Sequence, residues 1–495
     1  MSHHEGRDSE LVTRPDHWQP PLLQEAAIRR LDEQLITDPE NSSLHFERAC
    51  LYAESGRTTE AKTAYINLLI KDPAHLGALN NLGTLLYRTG YRTAAQTAYT
   101  QAITTHPNDP MGHVNLANLL MENNEWLAAR RHYETALQLD PNHVQAHQGL
   151  SYVLMELGDE QGAISHRQKG FQDHALISLP YYGHATPLPI LLLVSAVGGN
   201  TPTRWLLDDH HLQQYVVVTE FWTPAIKLPA HQLVFNAISD ADLATPALIA
   251  ANALLAHTTA PVINSPTAVL HTTRTEITQR FRHLPGIVIP KTVLFSRATL
   301  EAPDALSILA QHEFTFPFLL RSPGFHTGRH FLLVKNSTEF TAALADLPGA
   351  ELLVIEYLDA RDTDGNVHKY RVMMIDGQLY PLHLAIAKDW KVHYFTAEMA
   401  NQPAYRAQEA EFLNNMQQVI GARAMVALAR IQAELGLDYA GIDFSVNDNG
   451  DVLLFEANAT MVVIPPESDA AQDYRRPAVD RVFQAVARII EERGE

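Results

Sequence analysis

A single cysteine, Cys50, stands in a chain of 495 residues. That excludes a disulfide framework and cysteine-ligated metal sites, and it points to a reducing compartment. Basic residues are also few. The 37 Lys and Arg against 56 Asp and Glu leave a formal net charge of −19, whereas contact with nucleic-acid phosphates needs clustered Lys and Arg. No nucleic-acid partner is expected, but the balance leaves room for the local basic pocket that phosphate chemistry would require. Long apolar runs are missing too. The longest, Ile190–Val197, is far shorter than the ~20 residues of a membrane span, and the first twenty residues carry no apolar signal core. The expectation is a cytoplasmic protein with no membrane partner. No Walker sequence and no G-x-G-x-x-G occurs.

What the sequence has in abundance is repetition. In 34-residue steps from Ser42, Leu76, Pro110 and Val144, the eighth position is Ala49, Gly83, Ala117 and Ser151. The twentieth is Ala61, Ala95, Ala129 and Ala163, and the twenty-fourth is Tyr65, Tyr99, Tyr133 and then Arg167. The thirty-second is Pro73, Pro107 and Pro141, replaced by Ala175 in the last copy. Small residues let antiparallel helices approach, the aromatic fills the space between units, and proline stops the second helix. The pattern resembles the tetratricopeptide repeat, so residues 22–170 are expected to form an all-α solenoid of about four repeats. Ala27 and Pro39 sit where an earlier second helix would put them, which makes residues 22–38 a capping helix. The resemblance implies a concave groove that binds a peptide or protein, faced by Asn80, Thr84, Asn118 and Glu122. Use of the array as a spacer or as a homodimer surface stays open.

At this length two or three domains are expected, and 46% hydrophobic with 19% charged residues is the composition of a folded chain. Residues 171–189, rich in His, Pro, Tyr and Gly, read as a linker. Beyond them Ile190–Val197, Tyr215–Thr219 and Gln232–Ile238 read as strands with helical stretches around them, hence a parallel sheet.

The most informative segment runs from Tyr439 to Asn458. Asn449-Gly450 is a strong signal for a two-residue type I′ turn. Folding there pairs 448 with 451 and, counting outward, Asp443 with Glu456. Directly opposed side chains lie about 4.5–5.5 Å apart at Cβ, and alternation puts Asn458 on the face of Glu456. The opposite face would carry Ile442, Phe444, Val446, Leu453 and Phe455. Opposed carboxylates repel unless neutralised, and a hard cation with Asp, Glu and Asn oxygen ligands does so best; magnesium bridges to phosphates in this way. A solvated acidic hairpin is the alternative.

Val234-Phe235-Asn236, Pro261–Pro266 and Ile289–Thr292, taken in order with Asp443 and Glu456-x-Asn458 on paired strands, resemble the ATP-grasp ligases. Glutathione synthetase, D-alanine–D-alanine ligase and the RimK-type glutamate ligases are the relatives meant. The resemblance implies an α/β pre-ATP-grasp domain over 190–268 and an α+β ATP-grasp domain over 269–495. It also implies ATP with two magnesium ions, for which manganese could substitute. Glu456 would bridge the ions, with Asp443 and Asn458 each completing one. A strand ending at Arg321, where the family has lysine, leads into a glycine-bearing loop, Ser322–His330, whose backbone near Gly328 would cover phosphates. Arg274 likewise stands for an ATP-binding lysine. Leu352–Leu358 resembles the hinge, with Tyr357 and Leu358 reading adenine and Glu356 near its amine. Asp362 or Asp364 would meet the ribose, and Asp364 is carried forward as the candidate. Lys369–Tyr380 forms a hairpin turning at Asp376-Gly377. Arg371 enters that hairpin as the family's charged residue, and Lys388 beyond it is a phosphate or substrate ligand, with Lys391, His383 and His393 nearby. The implied activity joins a carboxylate to an amine through an acyl phosphate, converting ATP to ADP and phosphate, on a peptide or protein presented by the array. The alternative is a scaffold that binds ATP and ligates nothing. The two arginines in place of lysines favour it, as does Thr460-Met461-Val462 where relatives have Ser-Pro-Gly.

Overall fold

The computed structural model describes residues 21–183, 185–325, 328–392, 398–466 and 472–494. Two compact units divide the chain. The first runs to Ala196 and includes Leu207–Gln232; the second is Val197–Leu206 with Leu233 onward.

Among the described residues of the first unit nine helices follow one another: α1 (Pro21–Thr37), α2 (Ser42–Glu54), α3 (Thr58–Lys71), α4 (Leu76–Arg88), α5 (Arg92–Thr105), α6 (Pro110–Glu122), α7 (Trp126–Leu139), α8 (Val144–Glu156) and α9 (Glu160–Phe171). The helices α2, α4, α6 and α8 start on the four residues from which the 34-residue period was counted. Each is preceded by a side-chain cap, from Asn41, His75, Asp109 and His143 respectively, which satisfies an otherwise unpaired N–H. The turn inside each pair falls on Gly56, Gly90, Asn124 and Gly158, all at positive φ, where glycine and asparagine are tolerated. Tyr65 and Tyr133 are fully buried. The small eighth position has a direct cause: a Cβ on Gly83 would stand 2.5 Å from the Tyr99 ring.

Two histidine pairs recur at matching positions of the third and fourth repeats. His113 and His132 place their Nδ1 atoms 3.0 Å apart, and His147 and His166 place theirs 2.8 Å apart. His147 Nε2 lies 3.0 Å from the Pro141 carbonyl oxygen, so it carries the proton and Nδ1 accepts one from His166. Doubly protonated rings would set N–H against N–H. Burial, the largest cause, lowers all four pKa values. Stability from a depressed histidine is complete above its unfolded pKa, about 6.5, and is lost as pH falls through the lower folded value. Thermal unfolding of the chain is therefore expected to move to lower temperature between pH 7.5 and 5. His132→Gln with His166→Gln should flatten that slope, and an equal slope in the variant would contradict the account.

The stretch expected to be a linker is packed. It holds β1 (Leu176–Ser178), antiparallel to β3 (Leu212–Val218), which in turn runs parallel to β2 (Leu188–Val194). Tyr182 is buried against Ala49, Tyr65, Leu82 and Leu85 of the first repeats, and Arg88 donates to its hydroxyl at 2.6 Å while pairing with Asp209 at 3.2 Å. Pro- and Gly-rich composition marks irregular backbone; it carries no information on burial. Helices were expected between the strands, but residues 195–211 contain none. Gly198 and Gly199 at positive φ, followed by Pro202, leave no helix-forming run.

In the second unit β4 (Leu233–Asn236) and β5 (Val262–Ile263) are parallel, joined through the helix Ala241–Leu255. A four-stranded antiparallel sheet has the order β7-β10-β8-β9, from β7 (Thr292–Ser296), β8 (Phe318–Arg321), β9 (Phe331–Val334) and β10 (Glu351–Glu356). A five-stranded sheet has the order β12-β11-β13-β14-β6. Its strands are β6 (Ile287–Val288), β11 (Val367–Ile375), β12 (Gln378–Ala387), β13 (Tyr439–Val446) and β14 (Val452–Asn458), with only β6 parallel to its neighbour. The helices Pro403–Leu435 and Arg476–Gly494 pack on this sheet. Phe412 from the first lies 4.9 Å from the Tyr370 ring, which stacks on Phe444. Among the described residues no helix is long and apolar enough to cross a membrane.

Candidate active site

Asp443 is paired with Glu456, as the turn-counting argument expects, but by a different route. The β13–β14 connection is not a two-residue turn. Val446 pairs with Val452, and Asn447 closes the loop, accepting from Asn449 N at 3.0 Å and Asp451 N at 2.9 Å through its side chain. Such a side-chain turn competes with the I′ geometry, and only Gly450 of the central pair has positive φ. The register is thereby shifted by one. A bulge between Asp443 and Phe444 then shifts it back, with Phe455 as the additional residue. The two displacements cancel at Asp443. They do not cancel for the apolar face, where Leu454 and not Phe455 opposes Phe444, and Phe455 lines a cleft instead of the core. The other hairpin follows expectation: Ile375 pairs with Gln378 across Asp376-Gly377, both at positive φ.

Strand register carries the row further. His383 of β12 pairs with Arg371 of β11, Arg371 with Asp443 of β13, and Asp443 with Glu456 of β14. Arg371 Nε donates to Asp443 Oδ1 at 2.6 Å and Nη2 to Oδ2 at 2.8 Å; Lys369 Nζ donates to Oδ2 at 2.9 Å. Arg274, the first residue of the helix Arg274–Phe281, donates from Nη2 to Glu456 Oε1 at 2.6 Å. Asn458 Nδ2 reaches the same oxygen at 3.0 Å. Asn458 Oδ1 accepts from Thr460 N at 3.0 Å and Thr460 Oγ1 at 2.7 Å.

Electrostatics follow from these contacts. Burial would raise both carboxyls, but the charges of Arg371 and Lys369 outweigh it and hold Asp443 far below the usual range. Arg274 and Arg321 bring Glu456 down to about 2. Burial, then the neighbouring Arg274 charge, push Arg321 down to about 10. His383 is held well below its ordinary value by burial and then by Arg371, so it is neutral.

Beside this row lies a cleft lined from both sheets, by Thr292 and Ile355 on one side and Leu454, Phe455, Glu456 and Asn458 on the other. Ser239, Asp240 and Asp242 add an acidic rim. Asp240 caps the helix Ala241–Leu255, and Asp242 Oδ2 accepts from the Arg274 backbone N–H at 3.2 Å. Neither these aspartates nor Lys369 was singled out from sequence; the available signal was the Lys369-x-Arg371 spacing, which puts both cations on the strand face opposite Asp443.

The remaining candidates are placed less centrally. Arg321 ends β8, and its Nη2 donates to the Phe325 carbonyl while Nε is buried without a hydrogen-bond partner. Lys391, not Lys388, lies against Gly328, where a Cβ would meet its Cε at 2.6 Å, and Lys391 Nζ donates to the Phe331 carbonyl at 3.3 Å. Lys388 is exposed one residue past β12. Glu356 accepts from the Lys291 backbone at 3.1 Å; Tyr357 is half-buried, its ring 6.5 Å from that of Trp390, and Leu358 follows it. Asp364 is exposed, hydrogen-bonded to Asn366, and close to Asp362 and His368; none of the three is among the residues lining the cleft. His393 lies outside the described residues. In the array, Asn80, Thr84, Asn118 and Glu122 are already engaged: by Asn115, Tyr99, Tyr133 and Arg92 respectively.

Residues 46–110 and 114–166 match a tetratricopeptide-repeat family model. Three solved structures are similar over 30% of the chain. MamA from Desulfovibrio magneticus RS-1, residue 41 to its end, is 20% identical with 83% of that chain covered and a TM-score of 0.27. A crystal structure of MamA is 20% identical, with 86% covered and a TM-score of 0.28. A tetratricopeptide repeat protein from Parabacteroides merdae ATCC 43184 is 21% identical, with 58% covered and a TM-score of 0.27. No curated protein matches the chain. The helix pairs of residues 46–166 are tetratricopeptide repeats, followed in the chain by a mixed α/β region with several sheets.

Proposed function

We propose that the second unit is an ATP-grasp module that activates a carboxylate with ATP and joins it to an amine, and that the repeats engage the peptide or protein to be modified. The observation that carries this reading is the charged row Arg371–Asp443–Glu456, with Arg274 and Arg321 electrostatically coupled to it, beside a cleft walled by two sheets. Ile355 and Leu454 offer apolar walls for a base, and the backbone at Tyr357 and Leu358 offers the polar edge. Arg321 and Lys391, which stand outside the residues lining the cleft, are the cations assigned to the phosphates, Lys391 lying against Gly328. A substrate carboxylate oxygen attacks the γ-phosphorus and ADP leaves; an amine then attacks the acyl carbon, phosphate leaves, and the amine proton passes to solvent. Positioning and charge do most of such work. The donor set of Asp443, Glu456 and Asn458 fits magnesium chemically, and such an ion would supply charge neutralisation at the phosphate oxygens.

The test is ADP release with a matching mass gain in a panel of carboxylates, amines and peptides. Glu456→Gln is expected to lower ADP formation about 10²–10³-fold; undiminished turnover would remove Glu456 from the site. One observation favours a second reading, a nucleotide-binding scaffold: Asp443 already carries two organic cations. Magnesium-dependent ATP binding without turnover across the panel would select it.

A further inference from the structure

We propose that Arg274 gates the carboxylate trio: its guanidinium holds Glu456 against a metal ion until a polyphosphate draws it away. The inference rests on the ATP reading above for the identity of the polyphosphate. Its basis is the contact geometry. A magnesium or manganese ion bound to Glu456 Oε1 would sit about 2.0–2.1 Å from that oxygen, where Arg274 Nη2 stands 2.6 Å away. With Asn458 Nδ2 donating to the same oxygen at 3.0 Å, Oε1 already accepts two hydrogen bonds, and an ion there would also face the guanidinium's positive charge. The side-chain oxygens of Asp443 and Asn458 are engaged differently. Arg371 and Lys369 lie on β11, locked beside Asp443 by strand register, and Thr460 binds Asn458 Oδ1 within the same short segment.

Arg274 alone of these cations comes from outside the sheet, on the first turn of a helix, and it reaches across the cleft. A second anion is at hand for it: Asp242 Oδ2 lies 3.8 Å from its Nε. A guanidinium prefers bidentate oxyanion partners, and a nucleotide polyphosphate offers several. Its arrival frees Glu456 as the ion enters. Metal and nucleotide then bind cooperatively, and each raises the affinity of the other by the same factor.

The experiment measures Mn²⁺ binding to the full chain by electron paramagnetic resonance of free Mn²⁺, without nucleotide, and ATP binding in EDTA by calorimetry. Arg274→Gln keeps a hydrogen-bond donor and removes the charge; Arg274→Ala removes both. Each variant is expected to bind Mn²⁺ alone about 10- to 100-fold more tightly than the wild type and to bind ATP in EDTA more weakly. Adding Glu456→Gln to Arg274→Gln should abolish the gain. A merely structural arginine would weaken both measurements, and Mn²⁺ affinity unchanged or lowered in Arg274→Gln overturns the gate. Wild-type protein that binds no ATP with or without Mn²⁺ overturns the ATP reading instead, whatever the metal titration shows.

Discussion

Replacing Asp443 with alanine is expected to destabilise the second unit by about 3–5 kcal/mol, the cost of breaking a buried ion pair from one side. Asp443 is 3% exposed, and its removal strands Arg371 and Lys369, which both pair with it. Asp443→Asn keeps the shape but leaves two cations facing a neutral amide, so it should recover only part of the loss. Denaturant unfolding with two-state analysis reads the difference, and a change below about 1 kcal/mol would show that the network relaxes. Acid should act in the same direction. Both carboxyls lie below their ordinary values of about 4, so their contribution is complete above that pH and is lost as pH falls through the folded values, which for Glu456 means towards about 2. The consequence for function is practical: loss of activity in an Asp443 variant mixes folding with chemistry, which is why Glu456→Gln is the cleaner test.

Tyr133→Ala is expected to cost about 3–5 kcal/mol and to break the array at its third repeat, because truncating a fully buried aromatic leaves a cavity that helices cannot close. Tyr133 is 0% exposed in the cluster that joins Tyr99, Ala117, Leu150 and Val153. Repeats contact mainly their neighbours, so a defect in the middle uncouples the two ends. Tyr133→Phe removes only the hydroxyl bonded to Asn118 and should cost about 0.5–1.5 kcal/mol. Helix signal by circular dichroism, followed through a denaturant titration, separates the two variants. An alanine variant with the phenylalanine midpoint would contradict the packing role.

The helical array was legible because its determinants are local. Four starts, four small residues and the buried tyrosines recur at a spacing that any window of the sequence displays, and the helices begin on the expected residues. The Asp376-Gly377 hairpin was legible for the same reason: one dipeptide sets the turn. Asn449-Gly450 was misleading because a residue outside the dipeptide, Asn447, supplied a competing side-chain turn. The packed stretch around Tyr182 was missed because its partners lie in the first two repeats.

By itself the sequence determined the repeat period and the acidic character of the face that carries Asp443 and Glu456; their pairing came from a loop and a bulge whose displacements cancel. Tertiary structure alone decided what neutralises that face. Arg274 is 182 residues from Glu456, and Arg371 is 72 from Asp443. No periodicity connects such distances. Strand register in a five-stranded sheet and the placement of one helix N-terminus bring them together, and a buried carboxylate holds whichever cation the fold delivers. Local sequence therefore set where the charge stands, and long-range packing set what stands against it.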